Sequence, residues 1–199
     1  KREGDYHDST PNAQNPSATA LRMQIESGKE WKLYVPEAAF KCFEYAEIHH
    51  MAYAEQAILY RLRTMTDAEF EALPYGSEGL WRKLMHAARQ ESTLEAILTS
   101  VKSKRYTRSR LDRLVMCAFL GISQEILETE VPYTRVLAFT DRGRAILKDV
   151  KKNGTYLNAG ESIDHPHWEL EKRCGDLYSL FRIQGVDPPG AEEKRRIFY

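Results

Sequence analysis

The run Lys102–Leu114, KSKRYTRSRLDRL, governs how the rest of the chain is read. It carries Lys102, Lys104, Arg105, Arg108, Arg110 and Arg113 against a single acid, Asp112. The full chain has 29 Lys and Arg against 29 Asp and Glu, so the cluster is a local excess and not a bias of composition. Thr107 stands where a hydroxyl can cap a helix N-terminus. After it Leu111, Leu114, Val115 and Ala118 recur at helical spacing and make one apolar face, which predicts a helix that Gly121 ends. Arg110 and Arg113 point away from that face. Lys102, Lys104 and Arg105 precede the helix, where its dipole offers cations nothing. Tyr106 lies among them as a ring able to stack on a base or a ribose. Two readings stay open on these residues alone. One is a phosphate-binding surface for nucleic acid. The other is a solvated helix face with an Arg108–Asp112 pair at i, i+4.

The totals bound what the chain can be. Its 199 residues are enough for one good core or two small ones, and 42% hydrophobic with 11% aromatic content marks it as globular. No apolar run approaches the length of a membrane span. Cys42, Cys117 and Cys174 lie far apart within helical patterns and form neither a disulfide framework nor a CxxC metal site, which suits a reducing cytoplasm. The chain opens KREGDYHD, without Met and without a visible signal peptide, as a fragment would.

Outward from the basic run the texture is that of short helices. Residues 1–16 are polar and rich in Asn, Ser and Pro, and are expected to be loop. Ser17-Ala18-Thr19-Ala20-Leu21-Arg22 opens a helix that Gly28 stops. A free helix N-terminus suits a phosphate, and Arg22 stands one turn inside it. An ordinary capped helix accounts for the same spacing. Met51, Ala54, Ile58, Leu62 and Met65 share a face. Thr66–Glu69 and Ser92–Glu95 both read as capping boxes. Pro74, Gly76 and Gly79 break the chain between them. Val131–Phe139, VPYTRVLAF, could be a strand or a buried helix segment. Helices are expected from Thr140 to about Lys152 and from His167 to about Ile183, the latter with Leu170, Cys174, Leu177 and Leu180 or Phe181 inward.

Catalytic signatures are missing from the sequence. His49-His50 and His165-Pro166-His167 lack a third ligand at metal spacing, and no carboxylate pair marks acid–base work. No glycine-rich phosphate loop, HExxH or GxSxG occurs. No catalytic residue and no metal ligand is therefore assigned.

Several stretches together resemble one family. KREGDYHD followed by NPSATALR resembles the end of the catalytic domain of the bacterial tRNA(Met) cytidine acetate ligases, which belong to the HIGH-motif nucleotidyltransferase superfamily. SATALR is similar to that superfamily's second motif, ISxTxxR. GLWRKLMHAAR, TSVKSKRYTRSRLDRL and PYTRVLAFTDRGRAIL resemble the family's C-terminal pattern, in order, and KRYTxxRLxRL is the most specific of them. The resemblance covers residues 1 to about 183. There are departures: no HxGH motif occurs, and Ala138 stands where the family's pattern has Gly.

The resemblance implies an enzyme that uses ATP, with Mg2+, to activate acetate as acetyl-adenylate. It then acetylates N4 of the wobble cytidine of elongator tRNA(Met). On that basis Ser17, Thr19 and Arg22 match the second motif and would bind ATP. Arg2 matches an arginine that lines the nucleotide, with Lys1 beside it as a further candidate. Lys102, Lys104, Arg105, Arg108, Arg110 and Arg113 would contact tRNA, with Tyr106 stacking. The expected fold is mainly α: a multi-helix C-terminal domain with a short strand or two, attached to the last edge of a Rossmann-like α/β nucleotidyltransferase core. Residues 1–30 would be that edge, 31–185 the helical tRNA-binding domain and 186–199 an exposed tail. The chain alone, without the N-terminal half that binds the nucleotide, is expected to be inactive. Two other classes remain open: a helical protein-interaction module, and a nucleotidyltransferase of the same superfamily with another acceptor.

Overall fold

Ser17 caps the first described helix, α1 (Ala18–Glu26): its Oγ accepts a hydrogen bond from the Ala20 N–H at 3.0 Å. The structure is a computed structural model and describes residues 17–44, 46–158, 160–183 and 185–194. The chain divides into two units, Lys1–Ile48 and His49–Tyr199.

In the first unit α1 ends at Ser27, and Gly28 follows with φ 64°, a left-handed turn that glycine takes without steric cost. A single turn at Glu37–Ala39 leads into the short α2 (Phe40–Glu44). Trp31 packs edge-on to Phe40 and tilted against Phe43, with ring centroids 6.0 and 5.2 Å apart.

The second unit is built on four helices: α3 (Glu55–Thr64), α5 (Leu80–Gln90), α6 (Leu94–Val101) and α7 (Arg108–Leu120). The apolar faces legible in the sequence meet here. Ile58, Leu62, Leu80, Leu84, Ile97, Leu98, Leu111 and Leu114 are fully buried, with Phe70 from the short α4 (Asp67–Glu71) among them. Each such side chain contributes about 1.5–3 kcal/mol by leaving water. Thr66 and Glu69 form the expected reciprocal capping box at the start of α4.

The second expected box does not form. Thr93, not Ser92, caps α6, its Oγ1 accepting from the Ala96 N–H at 3.2 Å. Glu95 turns instead to Arg108, and the Leu94 N–H is taken by the Glu55 carboxylate at 2.8 Å. Thr107 occupies the cap position of α7 without making the capping bond; its hydroxyl pairs with Ser109 Oγ at 3.3 Å. Gly121 ends α7 with φ 67°, as predicted.

Beyond α8 (Gln124–Glu128), the VPYTRVLAF run contains a strand, β1 (Tyr133–Arg135). After α9 (Asp141–Asn153) comes β2 (Thr155–Leu157), which pairs parallel with β1 in the register Tyr133↔Thr155 and Arg135↔Leu157. A parallel pair requires a crossover, and α9 supplies it. The chain continues through α10 (Pro166–Tyr178), a turn at Ser179–Phe181 and α11 (Ala191–Lys194). Trp168, Ser179 and Phe181 are buried here, and Leu170, Cys174, Leu177 and Leu180 are half-buried.

The two-stranded parallel sheet lies at residues 133–157, within the part of the chain expected to hold a short strand or two.

Candidate nucleic-acid interface

Three of the six cations in Lys102–Arg113 are committed to carboxylates of the same chain. Arg108 grips Glu95 with both terminal nitrogens, each at 2.8 Å, and reaches Asp112 through Nε at 2.9 Å. Arg105 pairs with Glu78 at 3.1 Å. Arg110 meets the same carboxylate at 3.4 Å, and it also donates to the Tyr75 and Ser77 carbonyls and to Ser77 Oγ. Protonation equilibria record these ties. The Arg105 guanidinium holds the Glu78 carboxyl below its usual range, Arg108 does the same to Glu95, and hydrogen bonding to Glu95 raises Arg108 further. Lys102 and Lys104 are exposed, and neither makes an ion pair within 4 Å among the described residues. Arg113 is exposed, its guanidinium carbon 5.8 Å from the centroid of the Tyr75 ring.

Tyr106 is a correction. A stacking role on a base needs a free ring face, but Tyr106 is 4% exposed and belongs to the core cluster. Its hydroxyl donates to the Glu78 carbonyl at 2.7 Å. Apolar burial took the ring because it sits one residue before the α7 cap, where the chain must turn inward. Three cations surround it: Lys83 Nζ at 5.2 Å, Arg110 at 5.6 Å and Arg105 at 5.8 Å from the ring centroid. Lys83, on α5, is therefore a member of this surface that the sequence did not single out. The signal was present only as an exposed position on an amphipathic helix.

The loop Pro74–Gly79 is the other part the sequence did not reveal. It reads as a Pro/Gly break, yet Tyr75, Ser77 and Glu78 supply most of the partners of Arg105, Tyr106 and Arg110. Gly76 lies where a Cβ would stand 3.0 Å from Trp81 Cβ and 3.1 Å from the Leu73 carbonyl, so a larger residue there must push its neighbours aside by a few tenths of an ångström.

The expected nucleotide-facing residues lie in the first unit. Arg2 and Lys1 fall outside the described residues. Ser17 is buried and its Oγ is turned into the helix as the cap, while Thr19 is half-buried and Arg22 exposed on the next turn. The first-turn N–H groups of α1 have no intrahelical acceptors, a geometry that accommodates an anion.

A separate cleft of about 420 Å³ is lined by Val131, Tyr133, Arg135, His167, Glu171 and Cys174. Its polar groups satisfy one another: Tyr133 Oη donates to Glu171 at 3.0 Å, and Arg135 pairs with the same carboxylate at 2.7 Å. Burial and that bond push the Tyr133 phenol up to about 12. Among the described residues no group of three His, Cys, Asp or Glu stands together as a metal site, and no described helix is long and apolar enough to cross a membrane.

A helical unit with a parallel strand crossover thus carries an arginine-rich surface beside the Pro74–Gly79 loop. The chain belongs to the HIGH Nucleotidyl Transferase family, whose sequence pattern matches residues 1–188. It is 30% identical over 196 residues to the tRNA(Met) cytidine acetate ligase of Bacillus licheniformis, covering 90% of this chain and 47% of that protein. It is 29% identical to the Clostridium acetobutylicum protein of the same name, covering 94% of this chain and 49% of the relative. The chain thus spans about half the length of the curated relatives it matches. In fold it is similar to the crystal structure of apo Thermotoga maritima TmcAL, with a TM-score of 0.83 and 23% identity over 98% of this chain and 53% of that one. The form of TmcAL bound with alpha-thio ATP is also similar, with a TM-score of 0.79 and 24% identity over 92% of this chain and 52% of that one.

These matches correct the expected fold. Nucleotidyl transferase character is not confined to a short N-terminal edge with a helical appendage attached. The family pattern runs through residue 188 and the fold likeness through nearly the whole chain.

Proposed function

We propose that this chain is the C-terminal portion of an ATP-dependent tRNA(Met) cytidine acetate ligase. In that reaction a carboxylate oxygen of acetate attacks the α-phosphorus of ATP and pyrophosphate leaves. N4 of the wobble cytidine of elongator tRNA(Met) then attacks the acetyl carbon, and AMP leaves. The observation that carries the reading is the alignment of relatives bearing that name along 90% and 94% of this chain. That a structure sharing its fold holds alpha-thio ATP supports ATP as the activating substrate, which Mg2+ would accompany.

Within this reading residues 1–30 serve the nucleotide and residues 31–185 the RNA. Arg22, with Ser17 and Thr19 at the start of α1 and with Arg2 and Lys1, stabilises phosphate charge. Lys102, Lys104 and Arg113 contact the RNA backbone, since they are the cations of the basic run without an ion pair among the described residues. Arg105, Arg108 and Arg110 shape that surface. Contacts of this kind position the RNA, and shape and the anticodon loop supply the choice of tRNA. The setting is cytoplasmic.

The test is acetyl transfer by the full-length protein with ATP, labelled acetate and tRNA(Met) transcript. The reading expects N4-acetylcytidine at the wobble position and acetate-dependent exchange of pyrophosphate into ATP. Exchange without transfer to tRNA(Met), or with a different acceptor, would replace it with another nucleotidyl transferase activity.

A further inference from the structure

Tyr75 is an exposed aromatic on the basic surface, and the backbone that presents it is strained. The residue has φ 64° and is 41% exposed. Tyrosine enters the left-handed region only at a cost, which neighbouring contacts must offset. Those contacts are visible. Arg110 Nε donates to the Tyr75 carbonyl at 3.1 Å, and its Nη2 holds Ser77 by the carbonyl and by Oγ at 2.9 Å. Pro74 and Gly76 on either side are buried. Glu78, also left-handed at φ 61°, is fixed by the Tyr106 hydroxyl through its carbonyl and by Arg105 through its carboxylate. Two buried residues and three side chains thus hold one apolar ring out in water, where burial alone would have turned it in.

What surrounds the ring identifies what would cover it. Arg113 stands 5.8 Å from its centroid, and Arg110 approaches its backbone. Lys83, Arg105 and Arg110 cluster about Tyr106 immediately beyond. An aromatic face with cations beside it is the arrangement that binds single-stranded nucleic acid, with the ring stacking on a base and the cations meeting the flanking phosphates. Tyr60, 71% exposed on α3, has no cation–ring contact among the described residues.

We propose that Tyr75 is the base-stacking residue of this surface, presented to an unpaired nucleotide by the arginine-clasped Pro74–Gly79 loop. The proposal deepens the RNA-binding part of the proposed function and rests on it.

The experiment measures binding of this chain to a short single-stranded RNA and to the same strand with abasic sites. Wild type is compared with Tyr75→Leu, Tyr75→Phe and Tyr60→Leu, with thermal unfolding of each as a control for folding. Tyr75→Leu should weaken binding to the base-bearing strand about tenfold, with little effect on the abasic strand. Tyr75→Phe should retain affinity, and Tyr60→Leu should match wild type. If wild type binds neither strand, the RNA-binding reading itself fails. If wild type binds with steep salt dependence and Tyr75→Leu is unchanged, or loses equally on both strands, the surface stands and the stacking role is overturned.

Discussion

The guanidinium of Arg108 closes on the carboxylate of Glu95 through two parallel bonds of 2.8 Å, and in doing so ties α7 to α6. Parallel, charge-assisted bonds of this kind fix orientation as well as energy. The sequence counts Arg108 as surface charge, but the fold uses it as a clasp. Both side chains are well exposed, at 43% and 68%, so solvent screens the pair. Arg108→Ala is expected to cost about 1 kcal/mol in urea unfolding, while leaving RNA affinity within about twofold because three other cations carry the contacts. A loss of affinity with no loss of stability would return Arg108 to the interface.

Glu69 links α4 to pH. Its carboxyl is held down to about 2 from an ordinary 4.5, first by the Thr66 backbone N–H, then by Arg61 and the Thr66 hydroxyl. A folded-state value below the unfolded one means stability that is complete above about 4.5 and is lost as the pH falls toward 2. Urea midpoints measured across that window should fall for wild type. Glu69→Gln keeps the capping geometry without the ionisation, so its midpoint should converge on wild type at the acid end. A constant difference between the two would mean the carboxylate is not the titrating group.

Gly76 and Leu114 test the packing beneath the basic surface. A methyl at Gly76 would meet Trp81 Cβ at 3.0 Å and the Leu73 carbonyl at 3.1 Å. Gly76→Ala should cost about 1–3 kcal/mol by overpacking, and it should weaken RNA binding by displacing the neighbouring loop. Leu114→Ala, in the fully buried face of α7, should cost about 2–5 kcal/mol. Chemical unfolding reads both, and a neutral Gly76→Ala would show that the loop shifts freely.

What was legible followed from local chemistry. The faces of α3 and α7 were readable because buried leucines and isoleucines recur with the helical period, and Gly121 ended α7 in the left-handed region. The capping box at Thr66 was readable for the same reason: both partners lie within one turn. Glu95 defeated the second box because its partner, Arg108, lies across a helix–helix contact that spacing does not display. Tyr106 was misjudged similarly. Surrounded by charges in sequence, it is buried in space and tied to Glu78, a residue on the far side of α5 and α6 in the chain. Tyr75, inside a stretch read only as a Pro/Gly break, is an exposed ring beside the basic run.

The proposed RNA contact of the basic surface falls on Lys102, Lys104 and Arg113. The most direct measurement is affinity for tRNA(Met) transcript across a salt series, for wild type and for Lys102→Ala/Lys104→Ala. Wild-type affinity should fall steeply with salt, and the slope of log affinity against log salt should be shallower by about 2 in the variant, about one for each phosphate contact removed. Equal affinity and equal slope in the two proteins, or wild-type binding indifferent to salt, would contradict the account.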